Sequence, residues 1–282
     1  MTQLKTIYFL LILVFPLAIL AQDTTYYNQF NLELKKKVSE NKKEINFNKA
    51  QSFYLKKDWD STLIYSMKQL SSGKKSLEDY CHFLRGNCFR EKKLYKEAEK
   101  ELVQVSEKFS FYPFVYYNFG VIYLSLGKYQ KAIDYYLKAE SSLIKERRKS
   151  QIGNIYENIG ICYIHLKQFD KAEDYLLKNT KLLQSKTDTL SLFDTYTNTA
   201  NLYYEQYKDL EAISYFEKAY QLSQNIKDFD AKRKASLNMA VVEENRGNFK
   251  EALAYRKESG KWKDSLNNQN KVWALADYEK KY

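Results

Sequence analysis

The sequence predicts an all-α protein, an α-solenoid of about six helix pairs with a C-terminal helix. Three observations predict it. A small residue recurs along the chain as Ala50, Gly86, Gly120, Gly160, Ala200 and Ala240, each inside a stretch with apolar residues at three-to-four spacing. Twelve residues after each comes Thr62, then Ala98, Ala132, Ala172, Ala212 and Ala252. Only eight Gly and two Pro occur in 282 residues, too few for the tight turns of sandwiches and barrels. With 44% apolar and 29% charged residues, the chain is neither a disordered tail nor a polytopic membrane protein.

The elements follow in chain order. Residues 1–21 read as a signal peptide: Lys5 supplies a positive start, Ile7–Leu20 is a continuous apolar run, and Ala21 precedes polar Gln22. The alternative, an uncleaved anchor, meets a run shorter than the about 20 residues of a bilayer span and interrupted by Pro16. The protein is therefore expected to be exported, periplasmic or secreted, and tied to the inner membrane if uncleaved. Residues 22–42 are expected as a leading helical segment, with Phe30, Leu32, Leu34 and Val38 as its apolar positions.

Six units fill 43–266, at about 43–78, 79–112, 113–152, 153–192, 193–232 and 233–266. In each, a first helix runs through the small residue, as in Tyr116, Phe119, Tyr123 or Tyr156, Ile159, Tyr163. A Gly or polar break follows, such as Gly127-Lys128 or Lys167-Gln168, and then a second helix with Tyr129, Ala132, Tyr136 or Phe169, Ala172, Leu176. Small residues on both helices let their backbones approach while large aromatics fill the space beside them. Residues 267–282 end the chain as a capping or connector helix. Trp262, Leu266, Trp273 and Ala276 run through this end in a roughly heptad stripe.

At these positions the sequence resembles the tetratricopeptide repeat family. Gly120, Tyr123, Gly127, Tyr129 and Ala132 carry its signature most fully. The first unit departs from the pattern with Lys49 and Thr62, and the sixth with Glu243 and Arg256, as terminal repeats with one solvent face do. The resemblance implies a right-handed α-solenoid whose first helices line a concave groove.

Helical spacing puts the residues six and two before the small residue, and one and five after it, on that groove. The position two before is Asn48, Asn118, Asn158, Asn198 and Asn238, interrupted only by Leu84. Side-chain amides in line can donate to and accept from an extended peptide backbone. They can equally bridge neighbouring helices, and at this point both readings stand. The expected peptide-binding residues are Tyr117, Asn118, Asn158, Ile161, Asn198, Asn201, Tyr204 and Asn238. The stripe holds one cation, Lys234, with Arg90 beside it. The family's clamp for C-terminal carboxylates is thus not matched, and a neutral or apolar protein or peptide segment is the expected partner.

Other chemistry is thinly supported. Two histidines exclude a histidine-rich metal site, and His165 on the stripe reads as an ordinary polar residue. No phosphate-binding Gly-rich loop, His-Glu-x-x-His or Gly-x-Ser-x-Gly occurs. Cys81 and Cys88, two helical turns and roughly 10 Å apart, are beyond disulfide reach, and Cys162 stands alone. The net charge of +11 is spread over solvated helix faces, and export argues against nucleic acid. The expectation is a non-enzymatic interaction scaffold without metal or cofactor. The rival is the extracytoplasmic sensory input of a truncated histidine kinase or DNA-binding regulator, since the C-terminal stretch is similar to connectors that lead into a membrane helix.

Overall fold

The computed structural model describes residues 24–148, 152–184 and 188–279, so the apolar segment 1–21 lies outside the described residues. These residues form thirteen α-helices and one 3₁₀ turn, with no strand among them. They fall into two compact units, Met1–Leu166 and Lys167–Tyr282. Among the described residues no helix is long and apolar enough to cross a membrane.

The first unit contains α1 (Thr24–Glu40), α2 (Ile45–Leu55), α3 (Trp59–Leu70), the 3₁₀ turn Lys75–Leu77, α4 (Glu78–Glu91), α5 (Tyr95–Leu102), α6 (Tyr112–Ser125), α7 (Tyr129–Lys145) and α8 (Gly153–His165). The second contains α9 (Phe169–Gln184), α10 (Thr189–Glu205), α11 (Asp209–Asn225), α12 (Phe229–Asn245) and α13 (Phe249–Glu279). Helices pair as neighbours in sequence: α2 with α3, α4 with α5, and α6 with α7 in the first unit. In the second, α10 pairs with α11 and α12 with α13. The C-terminal helix expected after residue 266 is the unbroken continuation of α13. No proline interrupts that stretch, and Gly260 is exposed with open space where a side chain would stand.

One backbone device ends the first helix of every pair. Seven residues after the small residue, φ is positive at Lys57, Lys93, Gly127, Lys167, Tyr207 and Gly247, between 57° and 79°. The next backbone N–H then reaches back five residues, as Lys128 N–H does to Tyr123 O at 2.8 Å and Lys208 N–H to Tyr203 O at 3.0 Å. The left-handed residue's own N–H closes the shorter bond, Gly127 to Leu124 O at 3.0 Å. This is the Schellman arrangement, which satisfies carbonyls the helix end leaves open. Only two of the six positions are glycine, so the sequence signals the turn by Gly at 127 and 247 alone.

Small and large residues meet across each pair, though not where the spacing alone suggests. A Cβ on Gly86 would lie 2.6 Å from Leu102 Cδ2, and one on Gly120 2.6 Å from Tyr136 Cδ1. The large partner is therefore the residue four after the second helix's alanine. The aromatic three after the small residue stacks elsewhere: Phe53 on Tyr65 at 5.5 Å, Tyr123 on Tyr135 at 5.3 Å, and Tyr203 against Tyr215 at 5.6 Å between centroids. A lysine one turn further covers the second ring: Lys68 over Tyr65, Lys138 over Tyr135, Lys178 over Tyr175 and Lys218 over Tyr215, at 5.2, 5.0, 4.7 and 4.4 Å. Each such contact contributes about 0.5–1 kcal/mol at an exposed site.

The atypical units substitute polar for aromatic contacts. Thr62 is fully buried and donates to Asp58 O at 2.7 Å, while Lys49 sits 5.0 Å from the Tyr65 ring. Buried Glu243 accepts from Asn248 Nδ2 and Arg246 Nη1, both at 2.7 Å, and these bonds hold its carboxyl below the usual range. In the second repeat, buried Arg85 donates to Glu101 at 2.7 Å and to Leu63 O at 2.9 Å.

Candidate functional site

The stripe built from the first helices can be followed within each unit. In the first, Asn118 on α6 is buried; its amide donates to Phe114 O at 2.7 Å and accepts from Arg90 Nη1. Arg90 also pairs with Glu91. Asn158 on α8 donates to the Tyr117 hydroxyl at 3.4 Å, so the structure brings together two of the expected residues from neighbouring first helices. Tyr117 is half-buried, its ring 5.8 Å from that of Tyr136, and Ile161 is buried. Beneath them Tyr136 is fully buried, and its hydroxyl finds no hydrogen-bond partner among the described residues.

In the second unit, α10 places Asn198 and Asn201 on one face, 5% and 8% exposed, with Tyr204 half-buried beside them. On α12, Asn238 is 6% exposed and its Nδ2 has no hydrogen-bond partner among the described residues. A turn before it, Lys234 is not a free cation: it pairs with Asp230 at 2.9 Å, and Asp230 also holds Arg233 at 2.7 Å. Asp230 therefore stays below the usual carboxylate range despite its partial burial.

Asp194, six residues before Ala200, was not singled out by residue type, yet it occupies the position on α10 that Lys234 occupies on α12. Burial pushes its carboxyl up to about 7, with Asp228, Asp188 and Asp230 adding to the shift and Lys234 opposing it. Asp188 and Asp228 cap α10 and α12 by accepting from Ser191 N–H at 3.1 Å and Ala231 N–H at 2.9 Å. The stripe rule could have found Asp194, because it names a position and not a chemistry.

The remaining candidates resolve simply. His165 is exposed and lies flat on the Tyr129 ring, 4.4 Å between centroids. Cys81, Cys88 and Cys162 are buried free thiols, each pushed up to about 12 by burial, which makes them unreactive. Among the described residues no three His, Cys, Asp or Glu side chains gather where they could hold a metal ion.

Comparison with known proteins follows the same lines. Family models of the tetratricopeptide repeat match residues 151–225 and 115–142. No curated protein sequence matches the chain. Among solved structures, the apo form of the quorum sensor NprR from B. thuringiensis aligns with TM-score 0.69 and 20% identity, covering 94% of this chain and 79% of that one. NprR in complex with its cognate peptide NprX gives 0.59 and 19%, over 86% and 74%. The apo form of RapI gives 0.62 and 15%, over 79% and 98%.

Proposed function

Since this chain is a tetratricopeptide-repeat protein, we propose that it is an exported, non-enzymatic scaffold that binds a neutral or apolar extended segment of a protein or peptide. Each unit by itself offers such a segment a face along its first helices: Tyr117, Asn118, Asn158 and Ile161 in the first, and Asn198, Asn201, Tyr204 and Asn238 in the second. The observation that carries this reading is the repeated asparagine two residues before the small residue, with the Asn238 amide left holding an unused donor. A buried amide without a partner costs about 1–3 kcal/mol, which a carbonyl of an arriving backbone offsets. NprR, which takes its cognate peptide NprX on a similar fold, is the parallel that suggests a peptide.

The test is to pan the purified protein against a displayed library of random peptides, then repeat the binding with Asn198→Ala and Asn238→Ala combined. Enriched neutral, extended peptides that are lost in the double variant, at unchanged helicity and melting, support the reading. An empty library, or peptides retained by the double variant, removes it and leaves the amides a purely structural role.

A further inference from the structure

One end of the second unit's face gathers acids that the fold itself does not neutralise. Asp194 on α10 and Lys234 on α12 stand at the same place in successive first helices, six residues before Ala200 and Ala240. Asp194 is half-buried, and no hydrogen bond holds its carboxyl among the described residues. The charges acting on it are three further carboxyls, Asp188, Asp228 and Asp230, against one cation, Lys234. That cation is already engaged: Lys234 Nζ lies 2.9 Å from Asp230, which also holds Arg233 at 2.7 Å. Lys232 is turned onto the Trp262 ring at 4.7 Å. Asp188 and Asp228 are occupied as helix caps. Of these acids, Asp194 is the one left without a bond.

A second group on the same face is also unsatisfied. Asn238 stands one turn, about 5.4 Å, beyond Lys234 on α12. It is 6% exposed, and its Nδ2 donor is unused among the described residues. The two groups together select the occupant. A half-buried carboxylate gains most from a positive charge brought within bonding distance. Such a charge offsets the desolvation and the like charges that push this carboxyl up to about 7. A metal ion needs more ligands than this face gathers among the described residues. The Asn238 amide calls for a carbonyl in the same molecule. An ammonium or guanidinium on a flexible stem, carried by a peptide backbone, meets both requirements.

We propose that Asp194 gives the second unit's face its specificity: it takes the side chain of one lysine or arginine in the bound segment, while Asn238 donates to that segment's backbone. The inference rests on the peptide reading above and sharpens it, since the segment is neutral except at this one residue.

Panning the purified protein against a displayed library of random peptides should enrich sequences that share one Lys or Arg. A synthetic lysine version of an enriched peptide is then the probe. Replacing that lysine by norleucine, or Asp194→Asn in the protein, should each weaken binding about tenfold. The two together should weaken it no further, since both remove the same contact. Asp194→Glu should keep the preference, with circular dichroism as the folding control. Carbodiimide cross-linking of the probe to the unaltered protein locates the contact without any substitution: its lysine should couple to Asp194, read by mass spectrometry. Enriched peptides without a basic residue, losses that add in the double change, or coupling confined to other carboxyls overturn the proposal. Where those peptides are still lost with Asn198→Ala and Asn238→Ala combined, the peptide reading stands without it. An empty library overturns both.

Discussion

Tyr136 shows how a single atom can be at odds with its surroundings. Its ring fills the space that Gly120 leaves open, yet its buried hydroxyl has no partner among the described residues, and burial holds its pKa well above the ordinary value. Ring and hydroxyl should therefore separate on mutation. Tyr136→Phe should leave stability unchanged or raise it by about 1 kcal/mol, because an unsatisfied buried donor disappears. Gly120→Ala should cost about 1–3 kcal/mol, because the new methyl meets the ring edge. Urea midpoints at constant slope measure both, and a loss above about 1 kcal/mol in Tyr136→Phe would reveal a partner for the hydroxyl. Asp194 carries a pH signature. Its folded pKa of about 7 stands above the ordinary 3.8, so the fold favours the protonated acid. The folded protein then binds more protons than the unfolded chain between those values, and stability falls as pH rises from about 4 to about 7. Melting temperatures across that window should show Asp194→Asn losing part of the decline; an identical pH profile would place Asp194 in ordinary solvent.

At the scale of the element, the left-handed residue closing each first helix sets the most specific expectation. A non-glycine residue in that region costs roughly 1 kcal/mol, which Lys57, Lys93, Lys167 and Tyr207 each bear at φ 57° to 60°. Lys93→Gly should raise stability by about 0.5–1 kcal/mol, and Gly127→Ala should lower it by a similar amount. Equal midpoints for the two variants would mean the turns relax out of the left-handed region. These turns also mark where the sequence was legible and where it was not. The small residue, the aromatic three later and the alanine twelve later placed both helices of a pair, because packing of facing backbones constrains residue size. The turn between them constrains a backbone angle, which Lys and Tyr can adopt at a cost, so no fixed letter announces it. The Tyr–Lys pairs of the second helices were written at constant spacing as well, but a lysine beside a tyrosine reads as surface until the ring beneath it is seen. In α13 the sequence carries no proline after Gly260 to stop the helix, and reading the repeat as a closed unit obscured this.

For the whole molecule, the candidate surface was only half legible. The asparagine spacing placed Asn118, Asn158, Asn198 and Asn238 on first-helix faces, but periodicity carries no information on depth, and all four are buried. Their partners, Arg90 and Tyr117 in the first unit, depend on which helices are neighbours in space. Export is the expectation tested on the intact chain: protein recovered from an exporting host should begin at Gln22 by N-terminal sequencing. A mature protein that retains Met1 would mean the segment stays as an anchor. Finally, all three cysteines belong to the first unit, two on α4 and one on α8, and all are out of reach of solvent. Alkylation of the native protein can then proceed only as fast as those helices open, while the second unit contributes no signal. The thiols amount to a built-in clock for local unfolding of one unit. Mass spectrometry can read it peptide by peptide, distinguishing an early opening of α8 at Cys162 from a deeper opening of α4 at Cys81 and Cys88.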